Sequence, residues 1–275
     1  MPIGAGIQAA GVGINKNNMN ILAIGDIVGR PGRQVVHHYL RGLRKQYKID
    51  FIMANGENTA GGFGLTSSTA RELLDDGINI LTSGNHIFAQ KEIIPFLDTD
   101  MPVIRPLNYP EGVPGRGYRV MGKVLVINLI GRVFMNAYDC PFRTMDRLLA
   151  ELKDRPPVII IDFHAEATSE KVALGRYLDG RVSAVLGTHT HVGTTDMRIL
   201  KGGTAYVTDI GMTGPTDSVI GDDADAVLQR FLTQMPYHLS VGKGKPELNA
   251  VIVEIDESSG KATGIERIRR EMDET

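Results

Sequence analysis

Short apolar runs recur along the chain, each stopping abruptly at Gly, Asn, Asp or His, with amphipathic stretches between several of them. Layered α/β proteins read this way, because buried strands appear as continuous hydrophobic runs and helices cover the sheet faces. Ile21–Ile24 predicts a buried strand, Arg33–Tyr47 a basic amphipathic helix, Phe51–Ala54 a second strand, and Ser67–Asp76 a helix capped by Ser67 and stopped by Gly77. A strand at Ile78–Leu81 and a short helix over Gln90–Leu97 follow. Tyr118–Ile130 then holds two strands folded at Met121-Gly122-Lys123 into an antiparallel hairpin. Beyond a helix near Arg143–Leu152, β-branched residues run unbroken through the strand Val158–Ile161, and further strands are predicted at Val182–Leu186, Met197–Leu200, Ala205–Thr208 and Asn249–Ile255. The later strands have few helices between them, so the second half is expected to be the more antiparallel. A pair of mixed sheets with helices outside fits this order.

Composition narrows the class. Of 275 residues, 42% are hydrophobic and 23% charged, as in an ordinary globular protein, and residues 19–275 are read as a single domain. Residues 1–18, rich in Gly, Ala and Asn, are read as a flexible N-terminal extension, with Met19 a candidate natural start. A formal net charge of -2 argues against a broad electrostatic grip on DNA, and 6% aromatics without Trp leaves little for a stacking platform along single strands. Nothing approaches the roughly twenty apolar residues needed to cross a bilayer. The lone Cys140 excludes an internal disulfide and a Cys-rich zinc cluster, suits a reducing cytoplasm, and is expected to be a small buried hydrophobe.

The chemistry lies where the strands end. Ile21–Ile24 runs into Gly25-Asp26, Phe51–Ala54 into Asn55-Gly-Glu-Asn58, Ile78–Leu81 into Thr82-Ser-Gly-Asn-His86, Val158–Ile161 into Asp162-Phe-His164, and Ser183–Leu186 into Gly187-Thr-His-Thr-His191. Each segment has an ordinary reading alone: Gly-Asp and Asn-Gly are turn chemistry, and a lone histidine is more often structural. Together they place metal-binding side chains at carboxyl ends of strands, where ligands collect in α/β folds. His189 and His191, two apart in an extended segment, would face one metal cluster, with Gly187 giving backbone freedom. His37, His38 and His238 lack such context and are read as structural.

These five motifs, in this order, resemble the calcineurin-like metallophosphoesterases. The forms Gly25-Asp-Ile-Val-Gly29, Asn55-Gly-Glu-Asn-Thr-Ala60, Asp162-Phe-His-Ala-Glu166 and Gly187-Thr-His-Thr-His191 are similar to its YmdB-like cyclic-nucleotide phosphodiesterase branch. The resemblance implies a four-layer α/β/β/α sandwich with two mixed β-sheets. It implies two metal ions per chain, one held by Asp26, Glu57, Asn58 and His191, the other by Glu57, Asn85, His164 and His189. Val28 stands where the wider superfamily has a histidine, and Asn58 is expected to fill the gap. Oxygen and imidazole donors suit Mn, Fe, Mg or Zn, and ligand type alone does not choose among them; Fe and Mn are the expected metals, with Mg or Zn as alternatives. Two divalent ions against two carboxylates would leave roughly +2, an electrophilic site for a small phosphodiester anion.

The expected reaction is in-line attack by a metal-bridging hydroxide on a 2′,3′- or 3′,5′-cyclic nucleotide, with His86 as general acid; the rival role for His86 is to orient its neighbours. Asp162 and Glu166 are candidates to orient imidazoles, Arg30 and Arg33 to meet an anion, and the glycine-rich segment Asn58–Thr66 to form a mobile lip. A nucleotidase or phosphomonoesterase, or a regulatory RNA-associated protein with a weakly active metal site, is the alternative. A homo-oligomer is expected, without membrane or DNA partners.

Overall fold

A computed structural model describes residues 18–272. Residues 1–17 of the expected extension lie outside them, whereas Asn18 already pairs with Asp256. In chain order the strands are β1 (Asn18–Ile24), β2 (Asp26–Ile27), β3 (Phe51–Asn55), β4 (Ile80–Thr82), β5 (Tyr118–Met121), β6 (Val124–Ile130) and β7 (Val158–His164). There follow β8 (Ala184–Thr188), β9 (Arg198–Ile199), β10 (Ala205–Val207), β11 (Met212–Asp222), β12 (Val241–Asp256) and β13 (Lys261–Glu271). The helices are α1 (Gly29–Gln46), α2 (Ser67–Asp75), α3 (Pro141–Glu151), α4 (Thr168–Tyr177) and α5 (Ala224–Thr233).

One sheet has the order β2-β11-β12-β1-β3-β4, with β13 paired to β12; the other runs β5-β6-β7-β8-β10-β9. Both are mixed: β1, β3 and β4 are parallel, as are β6, β7, β8 and β10, while β12 lies antiparallel to β1, β11 and β13. The two-residue period of a strand sorts the apolar positions into three layers of core. Ile21 and Ala23 face Val126, Ile160 and Leu186 between the sheets. Leu22 and Ile24 pack under α1 and α2 with Val36, Leu40 and Leu73, and Ile127, Ile161 and Val185 pack under α3 and α4 with Leu149 and Leu174. The result is the four-layer α/β/β/α sandwich.

The second half is the more antiparallel, as expected, but not throughout. Strands β7, β8 and β10 are parallel, and antiparallel pairing is concentrated in β11, β12 and β13. The crossover that makes β8 parallel to β7 is α4, absent from the predicted elements. Its buried face carries Glu170 and Lys171 beside Leu174 and Gly175, so the apolar stripe that marks an amphipathic helix is interrupted. Strands β11 and β13 and helix α5 were likewise not anticipated.

Smaller differences lie at helix ends. Helix α1 starts at Gly29, not Arg33, and α2 is capped by Thr66 in a capping box with Thr69, not by Ser67. Gln90–Leu97 contains a six-residue 3-10 turn, Lys91–Phe96, with Pro95 inside it. Cys140 is half-buried at the start of α3.

Candidate metal centre

The parallel strands β1, β3, β4, β7 and β8 deliver all eight expected residues to one end of the molecule. The inner group is compact: Glu57 Oε1, Asn85 Oδ1 and His189 Nδ1 each lie 3.0 Å from His164 Nε2. One imidazole nitrogen carries at most one proton, so it cannot hydrogen-bond to all three, whereas three donors around a fourth is what a shared cation demands. Glu57, His164 and His189 offer ligand atoms within 4.8 Å of one another. His164 fits because residue 84 is glycine; a Cβ there would fall 2.2 Å from its ring.

The outer group is more open. Asp26 Oδ1 is buried with no hydrogen-bond partner, 3.8 Å from His191 Nε2 and 3.9 Å from His164 Nδ1. Asn58 lies between His191 and His86: its Nδ2 is 3.3 Å from His191 Nε2, and its Oδ1 is 2.9 Å from His86 Nδ1. The His86 amide donates to Glu57 Oε2 (3.0 Å), so Glu57 touches both groups.

Surrounding side chains set the tautomers. The Thr188 hydroxyl has one proton and donates it to Asp162 Oδ1 (2.7 Å), so it accepts from His164 Nδ1 (3.0 Å) and leaves the Nε2 lone pair facing Glu57. Asp162 is held in turn by Thr82 and by Asn55 Nδ2 (3.2 Å). Glu166 Oε2 stands 3.1 Å from His189 Nε2, so it orients His189, not His164, and directs Nδ1 inward. His191 Nδ1 donates to the Ile220 carbonyl (2.7 Å).

Electrostatics agree with cation binding. Burial drives the His164 pKa down to about 4, and burial followed by the neighbouring His164 does the same for His189, so both imidazoles are neutral at pH 7, the form in which they could ligate a metal. Burial pushes Asp26 and Glu57 upward and Asp162 to about 7. A cation beside Asp26 and Glu57 would hold both ionised. A cavity of about 680 Å³ opens over the group, lined by Glu57, Asn58, His86, Glu166, His189, His191 and Asp222 among others, with no Lys or Arg among the described residues of its wall. An anionic ester could not settle there without added positive charge. The residues present therefore fit a metal centre.

The family model described as YmdB-like protein matches residues 22–268. The chain belongs to the YmdB-like family. A 2′,3′-cyclic-nucleotide 2′-phosphodiesterase of Bacillus subtilis is 51% identical over 254 residues, covering 91% of this chain and 96% of that protein. A crystal structure described as a novel phosphatase of Mycoplasma pneumoniae has a TM-score of 0.87 at 33% identity, covering 93% of this chain and 94% of that one. A hypothetical protein from Thermus thermophilus also superposes with a TM-score of 0.87, at 42% identity over 93% of this chain and all of that one.

In this YmdB-like chain several sequence-based expectations need correction. His189 and His191 do not lie on an extended segment: β8 ends at Thr188, and the two take φ of 100° and 64°. Gly187 serves close approach, not freedom, since a Cβ would sit 1.7 Å from the Thr208 carbonyl oxygen of the neighbouring strand's end. Arg33 is spent on Glu72 (2.7 Å) and the Thr59 carbonyl (2.5 Å), and Arg30 is exposed. His37 pairs with Asp76 at 2.6 Å, while His238, read as structural, lines the cavity. The segment Asn58–Thr66 lines it too, but as a turn tied by Gly62 N to Asn58 O (3.1 Å) and Ala60 N to Gly64 O (2.9 Å).

Missed altogether was the buried pair Lys171–Asp209. Lys171 Nζ donates to Asp209 Oδ2 (2.8 Å) and the Thr188 carbonyl (2.7 Å), while Asp209 accepts from the amide (3.1 Å) and hydroxyl (2.8 Å) of Thr190. The residues flanking His189 are thus clamped on both sides, which offsets its left-handed backbone. The available signal was Asp209 itself, another carboxylate just past a strand end, after Ala205–Val207.

Proposed function

We propose that the chain hydrolyses a small phosphodiester, foremost a 2′,3′-cyclic nucleotide, through two metal ions, one held by Asp26, Glu57, Asn58 and His191 and one by Glu57, Asn85, His164 and His189. The carrying observation is the convergence of the partnerless Asp26 oxygen and neutral imidazoles beside a cavity whose described lining offers an anion no Lys or Arg. A phosphoric diester hydrolase is in keeping with the 51% identical relative, and the preference for 2′,3′- over 3′,5′-cyclic esters rests on that relative's name. Mixed oxygen and imidazole donors suit Fe or Mn, and Mg or Zn as well. Among the described residues no helix is long and apolar enough to cross a membrane, and the lone Cys140 suits the cytoplasm.

Metal bound there supplies charge neutralisation of the phosphoryl oxygens and activation of water. The chain's own residues do the rest. Asn58 Oδ1 lies 2.9 Å from His86 Nδ1, and an Nδ1–H donating to it leaves Nε2 to carry the second proton of the imidazolium. In that form His86 gives its Nε2 proton to the leaving ribose oxygen and ends as the neutral ring; burial lowers its pKa, which makes the cation the stronger acid. Asp162, through Thr188, and Glu166 keep His164 and His189 aimed inward.

The test is an assay of metal-loaded protein on adenosine 2′,3′-cyclic phosphate, adenosine 3′,5′-cyclic phosphate and 3′-AMP. Expected is fastest turnover of the 2′,3′-cyclic ester, with His86→Ala lowering kcat by about 10²- to 10⁴-fold at unchanged metal content. Turnover confined to the monoester would reject the reading.

A further inference from the structure

Around the cavity, the group facing outward beside the proposed acid is Phe63. It lies on the turn Gly61-Gly62-Phe63-Gly64, all three glycines at positive φ, and the residue is 54% exposed. The ring packs on His86, centroid to centroid 4.3 Å at a tilt of 46°. Gln90 Nε2 donates to the Phe63 carbonyl (2.8 Å), and Gly64 allows this approach, since a Cβ there would meet Gln90 Cγ at 2.6 Å. Among the described residues, Phe63 is the one Phe, Tyr or Trp side chain lining the cavity, whose wall also carries Ile220, His238 and Leu239.

We propose that Phe63 is the platform on which the nucleobase of the substrate stacks, an inference that rests on the cyclic-nucleotide reading above. The chemistry of the ester places the base there. When a 2′,3′-cyclic phosphate opens at its 2′ ester, the opening for which the 51% identical relative is named, the bond from phosphorus to O2′ breaks and O2′ takes the proton, so the acid stands beside O2′. The base leaves the ribose at the adjacent carbon, next to whatever flanks the acid. Phe63 is that neighbour, fixed in place by the turn and by Gln90. The volume of about 680 Å³ suits a mononucleotide, and every base has a face that an aromatic ring can stack on, so the platform would bind without strong base preference.

The test compares adenosine 2′,3′-cyclic phosphate with ribose 2′,3′-cyclic phosphate, which has no base, on metal-loaded full-length wild type, Phe63→Ala, Phe63→Leu and Phe63→Trp. Expected is a wild-type preference in kcat/KM for the adenosine ester that shrinks about 5- to 100-fold in Phe63→Ala. The change should appear in KM; Phe63→Leu should share the loss, since it keeps an apolar contact on His86 without an aromatic face, and Phe63→Trp should restore the preference. Equal losses on both esters, carried by kcat, would assign Phe63 to holding His86 and overturn the platform while leaving the phosphodiesterase reading intact. Wild type inactive on both esters would remove that reading and the platform with it.

Discussion

The two halves of the candidate metal centre are built differently. The inner half, Glu57, Asn85, His164 and His189, has its donors 3.0 Å from one ring nitrogen, and its imidazoles are backed by the carboxylates of Asp162, through Thr188, and Glu166. In the outer half, Asp26 and His191 stand 3.8 Å apart, and His191 is backed by the backbone carbonyl of Ile220, a β-branched residue at φ 48°. Strand ends buried between two sheets organise the first, and the rim strand β11 organises the second. On the two-ion proposal, an ion in the inner half would be held tightly and one in the outer half would exchange.

The largest effect is expected where the halves meet. Glu57→Gln should remove both ions and lower kcat/KM by about 10³-fold or more, measured by elemental analysis and steady-state kinetics; a variant retaining two ions would break the bridging role. Next is Lys171→Met, which leaves Asp209 buried without its partner. About 3 to 5 kcal/mol should be lost from the unfolding free energy in urea, and inner-ion affinity with it, because the clamp around His189 opens. A stable variant with both ions in place would show that the strained turn holds itself.

Thr188→Val separates His164 from Asp162 at nearly constant volume. Inner-ion affinity should fall about 10- to 100-fold and outer-ion affinity change little. Ile220→Gly is expected to have the smallest effect: relief of the left-handed penalty offsets the looser chain, so stability should move by less than about 1 kcal/mol in thermal melts. The outer ion alone should weaken, by about 3- to 10-fold, as the carbonyl behind His191 loses its fixed position.

The inner half was the more legible in sequence for the same physical reason that makes it rigid. A strand that must bury both faces reads as an apolar run, so Glu57, Asn85 and His164 stand out where the runs stop. What supports them did not stand out. Thr188 looks like one more strand threonine, and Lys171 looks like a solvated helix residue until the fold buries it at 1% exposure. Glu170 and Lys171 facing inward also hid α4, and with it the parallel course of β8. The outer rim was darker still: β11 and α5 mix exposed apolar residues such as Ile220 and Phe231 with charges, leaving no period to follow, so His238 gave no sign of facing the cavity. Gly187 was noticed for the wrong reason, because a steric demand from the end of a neighbouring strand cannot be told in sequence from a demand for unusual φ.

The most direct test is a calorimetric titration of metal-free protein with Mn²⁺, run on wild type and Thr188→Val. Expected are two binding events per chain of unequal affinity, with the substitution weakening the tighter one alone. A single event, no binding, or equal weakening of both events would contradict a two-ion centre whose inner half is held by Asp162 through Thr188.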